Sequence, residues 1–264
     1  MGFEEFKKRQ SVVWGTGPYE RFPEHYEPLL DHVARALAAA PGERVLDVGT
    51  GTGALATRLA RTGAEVTGVD LAPALIATAK RLAADDGLDI GYDVGDAERL
   101  PYEDASFDGV ASSVGSIFAP DHAAVARELA RVCRPGGRLA LGMWSDERGV
   151  VDMFQMMRPF MPAPPQGAGS PFQWGSRDYV EQRLGAYFEL RFEEGDAPQT
   201  GESGEEVWEL FSTVYGPART LAESLEPGRR EELRRAFVEF YERYRTKSGV
   251  HQPRPYLVAV GVRR

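Results

Sequence analysis

Arg44-Val45-Leu46-Asp47-Val48-Gly49-Thr50-Gly51-Thr52-Gly53 is the stretch that decides the fold of this 264-residue chain. Its apolar residues form a short run with two β-branched members, which predicts a strand buried on both faces of a parallel sheet. The three glycines then allow a tight turn in which a ligand can lie directly against the backbone. Ala54 to Thr62 is predicted to be a helix whose first free N–H groups face that turn. Together these features predict a binding edge for a nucleotide-like ligand.

Asp47 bears on the charge of that ligand. Gly49, Gly51 and Ala54 also fit the G-x-G-x-x-G/A fingerprint of dinucleotide-binding proteins. A carboxylate inside an apolar strand is costly unless it has a partner or water. A dinucleotide would bring a pyrophosphate that Asp47 repels, whereas S-adenosylmethionine would bring an ammonium and a sulfonium. We favour a cationic ligand; the alternative is that Asp47 merely caps the N–H groups of its own loop.

The composition is that of an ordinary globular protein, and the length predicts one domain with an insertion. Binding to the phosphate backbone of a nucleic acid requires clustered Lys and Arg. This chain has a net charge of −9, so we expect no nucleic-acid partner. Cys133 is the one cysteine, which excludes an internal disulfide and a multi-thiolate metal site. No apolar run approaches the ~20 residues of a membrane span, so we expect a cytoplasmic protein without a membrane partner.

Two further acids follow predicted strands. Asp70 ends a strand that begins at Glu65, about twenty residues beyond the glycines, where an acid can bind both hydroxyls of a ribose. It could also act as the N-cap of a helix starting near Pro73, and both roles are compatible. Asp96 follows a third strand, residues 88–94, and could accept a hydrogen bond from an adenine amino group.

Strands and helices alternate without irregular gaps between residues 44 and 144. A fourth strand is predicted over residues 107–114, and a helix over 122–132 is capped by Asp121. A turn at Arg134 to Gly137 precedes a fifth strand over 138–143. The predicted fold class is therefore α/β, a Rossmann-like doubly wound and mostly parallel sheet with helices on both faces.

The flanking segments are expected to shape a pocket. Residues 1–43 are predicted to form an N-terminal helical cap, with a helix over 3–10 and then aromatic residues in an irregular stretch. Those aromatics, Trp14, Tyr19, Phe22 and Tyr26, form either a lid over the site or ordinary packing. Residues 44–145 form the cofactor-binding core. Residues 146–264 supply a helical substrate-pocket insertion, with two or three helices between 202 and 247, and the last strands of the sheet.

Six short motifs between residues 45 and 137 together resemble a known family. They are Val45 to Gly53, Val69-Asp70, Gly95-Asp96-Ala97, Leu100-Pro101, Phe107-Asp108 and Arg131 to Gly137. In their order and spacing they are similar to the class I S-adenosylmethionine-dependent methyltransferases of the UbiE-like type. The glycine loop reads Gly-Thr-Gly where many members have Cys-Gly, and Cys133 stands where Leu is usual; neither difference threatens cofactor binding.

This resemblance implies S-adenosyl-L-methionine as cofactor and S-adenosyl-L-homocysteine as product. Methyl transfer would proceed by in-line displacement to an oxygen, nitrogen or carbon of a small-molecule acceptor, for example one of secondary metabolism. The residues that it assigns to the cofactor are Asp47, Gly49, Thr50, Gly51 and Gly53 for the methionine part, Asp70 for the ribose, Asp96, Ala97 and Leu71 for the adenine, and a backbone group of Ser112 or Ser113 for the methionine end.

The catalytic residues stay open. Packing or capping suffices for His32 and His122, whereas His25 and His251 are predicted nearer the pocket, and no histidine is assigned as a base. We expect no metal site. One rival function is a nicotinamide-dependent oxidoreductase, disfavoured by Asp47 and by the lack of a clear Tyr-x-x-x-Lys pair. Another is a protein of the same fold that binds the cofactor without methylating. The acceptor and the oligomeric state stay undetermined.

Overall fold

The computed structural model describes residues 2–264, which form a seven-stranded sheet flanked by helices and a separate three-stranded sheet. The strands are β1 Arg44–Val48, β2 Glu65–Asp70, β3 Ile90–Val94, β4 Phe107–Ser113, β5 Cys133–Trp144, β6 Phe188–Asp196, β7 Gln199–Gly201, β8 Arg245–Thr246, β9 Gly249–Gln252 and β10 Pro255–Arg263. The helices are α1 Phe3–Trp14, α2 Glu27–Leu37, α3 Ala54–Ala60, α4 Pro73–Asp85, α5 His122–Val132, α6 Val150–Met157, α7 Arg177–Leu184, α8 Gly204–Thr213, α9 Gly216–Ser224 and α10 Pro227–Glu242.

The large sheet has the order β3-β2-β1-β4-β5-β10-β6. The pairs from β3 through β5 are parallel, while β10 runs antiparallel to both of its neighbours. This arrangement confirms the predicted doubly wound α/β fold. The strand order reverses between β1 and β4, and ligands bind such sheets in the crevice at that switch point, beyond the carboxyl ends of the strands. The glycine turn after β1 lies there.

Strand β1 is buried from Val45 to Val48. Val45, Leu46 and Val48 are each 0% exposed, as a strand covered on both faces requires. Helix α2 packs closely against β5. A Cβ at Gly142 of β5 would lie 2.6 Å from Cγ2 of Val33 in α2. Among residues 2–264, no helix is both long enough and apolar enough to cross a membrane.

Two local predictions differ from the structure. The segment Arg134 to Gly137, predicted as a turn before a strand, lies inside β5, which already pairs with β4 at Cys133. The pairing shifts register between Phe107 and Gly109, so the segment forms a bulge with Gly136 at φ +72°. Helix α1 extends to Trp14, beyond its predicted end at residue 10.

The segment between β6 and β10 contains three helices, α8 to α10, as the breaks at Gly216 and Pro227 indicate. The small antiparallel sheet of β7, β9 and β8 is not predicted by the sequence. Its strands have two to four residues, too short to show alternation. Because β10 is antiparallel, its first residues lie at the edge where β1, β4 and β5 end.

Candidate functional site

The glycine turn after β1 uses backbone conformations that favour glycine. Gly49, Gly51 and Gly53 have φ values of +69°, +57° and +87°. A Cβ at Gly49 would lie 2.7 Å from Gly115 Cα, and one at Gly53 would lie 2.3 Å from the hydroxyl of Tyr92. At Gly51 the nearest atom would be 3.8 Å away, on Tyr19, so this residue leaves open space on the cavity side. Gly53 shapes the turn but is not part of the cavity wall.

Asp47 is almost fully buried, at 1% exposure, and lines the cavity. The Thr50 hydroxyl donates to Asp47 Oδ2 at 2.7 Å, whereas Oδ1 has no partner among residues 2–264. Burial raises the pKa of Asp47 to about 7, and the nearby Asp70 adds to this effect. The alternative role, capping the loop N–H groups, therefore does not satisfy this carboxylate. A buried oxygen without a partner fits a cationic ligand group.

Asp70 fastens the glycine turn to the start of α4. Its two carboxylate oxygens each accept a backbone N–H at 2.9 Å, one from Gly51 and the other from Ala72. Burial raises its pKa despite these bonds. The predicted N-cap role is wrong, because the N-cap residue of α4 is Ala72 and no side chain caps this helix; Asp70 binds the N–H of Ala72 instead. Asp70 with Leu71 also lines the cavity. Each oxygen has a further lone pair with which a ligand hydroxyl can bond.

Asp96 is held by a residue that sequence reasoning missed. Lys7, on α1, lies only 7% exposed and donates to Asp96 Oδ2 at 2.7 Å and to Glu98 Oε2 at 2.9 Å. Burial opposes the charge of Lys7, but these hydrogen bonds and one to Glu4 outweigh it and raise its pKa. Asp96, Ala97 and Lys7 all line the cavity. No motif marks Lys7, because its partners lie 89 and 91 residues away.

Ser112 and Ser113 take different roles. The Ser112 hydroxyl donates to the Val48 carbonyl at 2.6 Å and accepts from the Ser116 N–H at 3.1 Å, so it joins β1 and β4 from within the protein. Ser112 is not in the cavity wall. Ser113 is, and its buried hydroxyl has no partner in residues 2–264. Of the two, Ser113 is placed to meet a ligand.

One cavity connects these groups and encloses about 1420 Å³ of empty space, part of it open to solvent. At its end near α4 it is lined by Asp47, Asp70 and Asp96. Ten aromatic side chains line the cavity, and six of them form a cluster that we call the aromatic wall: Trp14, Tyr19, Phe22, Tyr26, Phe211 and Tyr215. These rings pack on one another, with 4.6 Å between the centroids of Phe22 and Tyr215. The N-terminal aromatics therefore both pack and cover the cavity.

The four histidines lie outside this cavity wall. His32 contacts the Tyr256 hydroxyl at 3.2 Å and Glu193 at 2.7 Å, and His122 contacts the Tyr179 hydroxyl at 2.8 Å. Packing therefore accounts for both. His25 and His251, predicted nearer the pocket, also do not line it; His251 is exposed on β9. Across residues 2–264, no three His, Cys, Asp or Glu side chains form a group that could hold a metal ion.

Comparison with known proteins gives consistent results. The sequence profile of a family described as "Methyltransferase domain" matches residues 46–141. An uncharacterised protein of Mycobacterium tuberculosis is 35% identical over 221 residues, 81% of each chain. A demethylmenaquinone methyltransferase of Beutenbergia cavernae is 42% identical over 110 residues, 42% of this chain and 44% of that one. The fold is similar to the crystal structure of the YcgJ protein from Bacillus subtilis, with a TM-score of 0.62, 19% identity, and coverage of 90% and 99%.

Proposed function

The chain belongs to the class I S-adenosylmethionine-dependent methyltransferases, and from this membership we propose that it methylates a small molecule bound against the aromatic wall. The single observation that carries the proposal is the shared cavity, whose lining combines the carboxylates of Asp47, Asp70 and Asp96 with the aromatic wall. The same cavity wall includes Asp47, Asp70 and Asp96 and the rings of the aromatic wall, so a cofactor bound at the acids and an acceptor bound against the rings would be neighbours.

We assign the cofactor contacts residue by residue. Asp47, with its partnerless Oδ1, would hold the cationic methionine part, and the backbone at Gly49, Thr50 and Gly51 would lie against it. Asp70 would accept from the ribose hydroxyls. Asp96 with the Ala97 N–H would meet the adenine, and Leu71 would flank its face. These roles are supported by the presence of Asp47, Asp70 and Asp96 in the cavity wall, where Asp47 is buried.

We assign Ser113 to the methionine end of the cofactor, because its hydroxyl has no partner in residues 2–264, whereas the Ser112 hydroxyl binds the Val48 carbonyl. Gly53 would act only through the shape of the turn. In this assignment residues 44–145 hold the cofactor. Residues 1–43 form the cap and 146–264 complete the acceptor side.

When bound, the sulfonium of the cofactor supplies an activated methyl group. The protein's task is then to hold an acceptor atom in line at about 3 Å and to exclude water, and such positioning can supply roughly 7–11 kcal/mol. The aromatic wall excludes water from the acceptor side. Burial raises the pKa of Tyr26 to about 12 and raises that of Tyr19 and Tyr215 as well. At neutral pH these hydroxyls can donate hydrogen bonds but cannot act as general bases.

Transfer of a labelled methyl group tests the proposal. The purified protein is incubated with methyl-labelled cofactor and with either the dialysable or the retained fraction of a cell extract. We expect label in small molecules of the dialysable fraction, and none with the Asp47→Asn variant. Label confined to protein or nucleic acid would overturn the small-molecule acceptor. No label in either fraction, together with calorimetric binding of S-adenosylhomocysteine, would favour the alternative of a cofactor-binding protein that does not methylate.

A further inference from the structure

Arg254 is a buried cation on the acceptor side of the cavity. It is 3% exposed, lines the cavity, and immediately precedes β10 at the edge where β1 and β5 end. Three strand spacings separate β10 from β1, which corresponds to roughly 14 Å. The cavity is therefore bipolar, with carboxylates beyond β1, β2 and β3 and a guanidinium beside β10.

Only some of the hydrogen-bond donors of the Arg254 guanidinium bind other groups of the protein. Its Nε donates to the Ala197 carbonyl at 2.7 Å, and its Nη2 donates to the His25 carbonyl. The hydrogen bonds of this guanidinium to residues 2–264 use Nε and Nη2, and none uses Nη1. The group also lies over the Trp144 ring, 5.2 Å from the centroid, and Trp144 lines the same cavity.

No carboxylate in the described part of the chain forms an ion pair with Arg254. Asp196 accepts from its backbone N–H at 2.7 Å but is itself exposed. Burial accordingly lowers the pKa of Arg254 to about 10. A buried cation without a negative partner is strongly unfavourable. The two carbonyl contacts do not explain the cation, because an uncharged side chain could make them as well. The N–H groups that remain free match the geometry of a carboxylate.

We propose that the methyl acceptor carries a carboxylate bound by Arg254, so that the cavity selects small organic acids with an apolar or aromatic body. This inference rests on the proposed function and names its substrate class. The acid group would anchor one end of the acceptor at Arg254, while the aromatic wall packs on its body. The roughly 14 Å between β1 and β10 leaves room for the reacting atom to face the methionine end of the cofactor.

Paired probes test this assignment without knowledge of the natural acceptor. Benzoate, phenylacetate and indole-3-acetate are each compared with the corresponding primary amide, by calorimetry in saturating S-adenosylhomocysteine. We expect at least one acid to bind tenfold or more tightly than its amide. The Arg254→Met variant should weaken binding of that acid by the factor of its preference, at least about tenfold, and so bring it to the level of the amide. Arg230→Met, at an exposed position of α10, should change neither.

Two outcomes overturn the inference: no acid of the series binds more tightly than its amide, or the preference persists in Arg254→Met. Arg254→Lys keeps the charge and should retain part of the preference, so it remains informative if the methionine variant fails to fold. A merely structural Arg254 would lower thermal stability in both variants without changing the ratio of acid to amide. Loss of S-adenosylhomocysteine binding by the unmodified protein would instead count against the proposed function itself.

Discussion

Replacing Asp47 with asparagine should weaken cofactor binding and, in the absence of ligand, stabilise the protein. The asparagine is nearly isosteric, and its carbonyl oxygen can still accept from Thr50 at 2.7 Å. The change therefore removes a charge and little else. Because the two effects have opposite signs, they separate a ligand-binding carboxylate from a structural one.

The size of the stabilisation follows from the pKa of Asp47, which burial raises from 3.8 to about 7. Each pKa unit corresponds to about 1.36 kcal/mol, so burying the charged form costs about 4 kcal/mol above pH 7. The folded state holds the proton more tightly than the unfolded state. Above the folded pKa this difference lowers stability in full, and below pH 3.8 it disappears. Asp47→Asn should recover up to that amount at pH 8.

Asp47→Asn should weaken cofactor binding as does removal of one partner from a buried charge pair. That loss is about 2–5 kcal/mol, or roughly 30- to 5,000-fold in affinity. Calorimetry with S-adenosylmethionine and S-adenosylhomocysteine measures it, and thermal unfolding of the free protein measures the stability. Asp89→Asn, at an exposed aspartate, is the matched control and should change neither quantity. The reasoning is refuted if Asp47→Asn binds within threefold of the unmodified protein, or if it unfolds at a lower temperature.

Three further predictions follow from the same site. Affinity for S-adenosylhomocysteine should rise with pH up to about 7 and level off above it, because only the ionised Asp47 attracts a cation; an equal rise in Asp47→Asn, measured by calorimetry, would exclude Asp47 as its cause. Ser112→Ala should lower the free energy of unfolding by about 1–3 kcal/mol, since two buried backbone groups lose their partner, whereas Ser113→Ala should cost less and mainly weaken cofactor binding. Denaturant titrations giving the reverse order would contradict this division. Gly53→Ala should lower the free energy of unfolding by about 1–3 kcal/mol more than Gly87→Ala does, as measured by chemical denaturation. Both glycines have positive φ, but only a Cβ at Gly53 would meet Tyr92, so Tyr92→Phe should restore part of the lost stability.

The residues that we assign to the cofactor were predictable because they lie close in sequence to the motif that positions them. Asp47 and Asp70 each end or interrupt an apolar strand, and a doubly wound sheet brings the ends of adjacent strands together. Local patterns therefore sufficed to place Gly49, Asp70 and Asp96 at one edge. What the pattern did not resolve is which of two adjacent serines faces the cavity, since this depends on the pleat at the end of β4.

The cavity residues outside these motifs were less predictable because long-range contacts position them. Lys7 and Arg254 look like ordinary surface charges in the sequence, and their burial depends on partners 89 and 229 residues away. The Pro-Gly-Gly composition of Arg134 to Gly137 predicts a turn, because it is typical of turns, whereas the structure has a bulge there. Strand β5 keeps the segment only because β4 pairs on both sides of it.

The link from Arg254 to the His25 carbonyl spans 229 residues, and it has a consequence during synthesis on the ribosome. Strands β1, β2 and β4 leave the ribosome before Arg254 has been synthesised, so the guanidinium can reach His25 only late in synthesis. A product that ends before Arg254 would contain the glycine turn and its three acids but would lack the anchor that we propose for an acceptor.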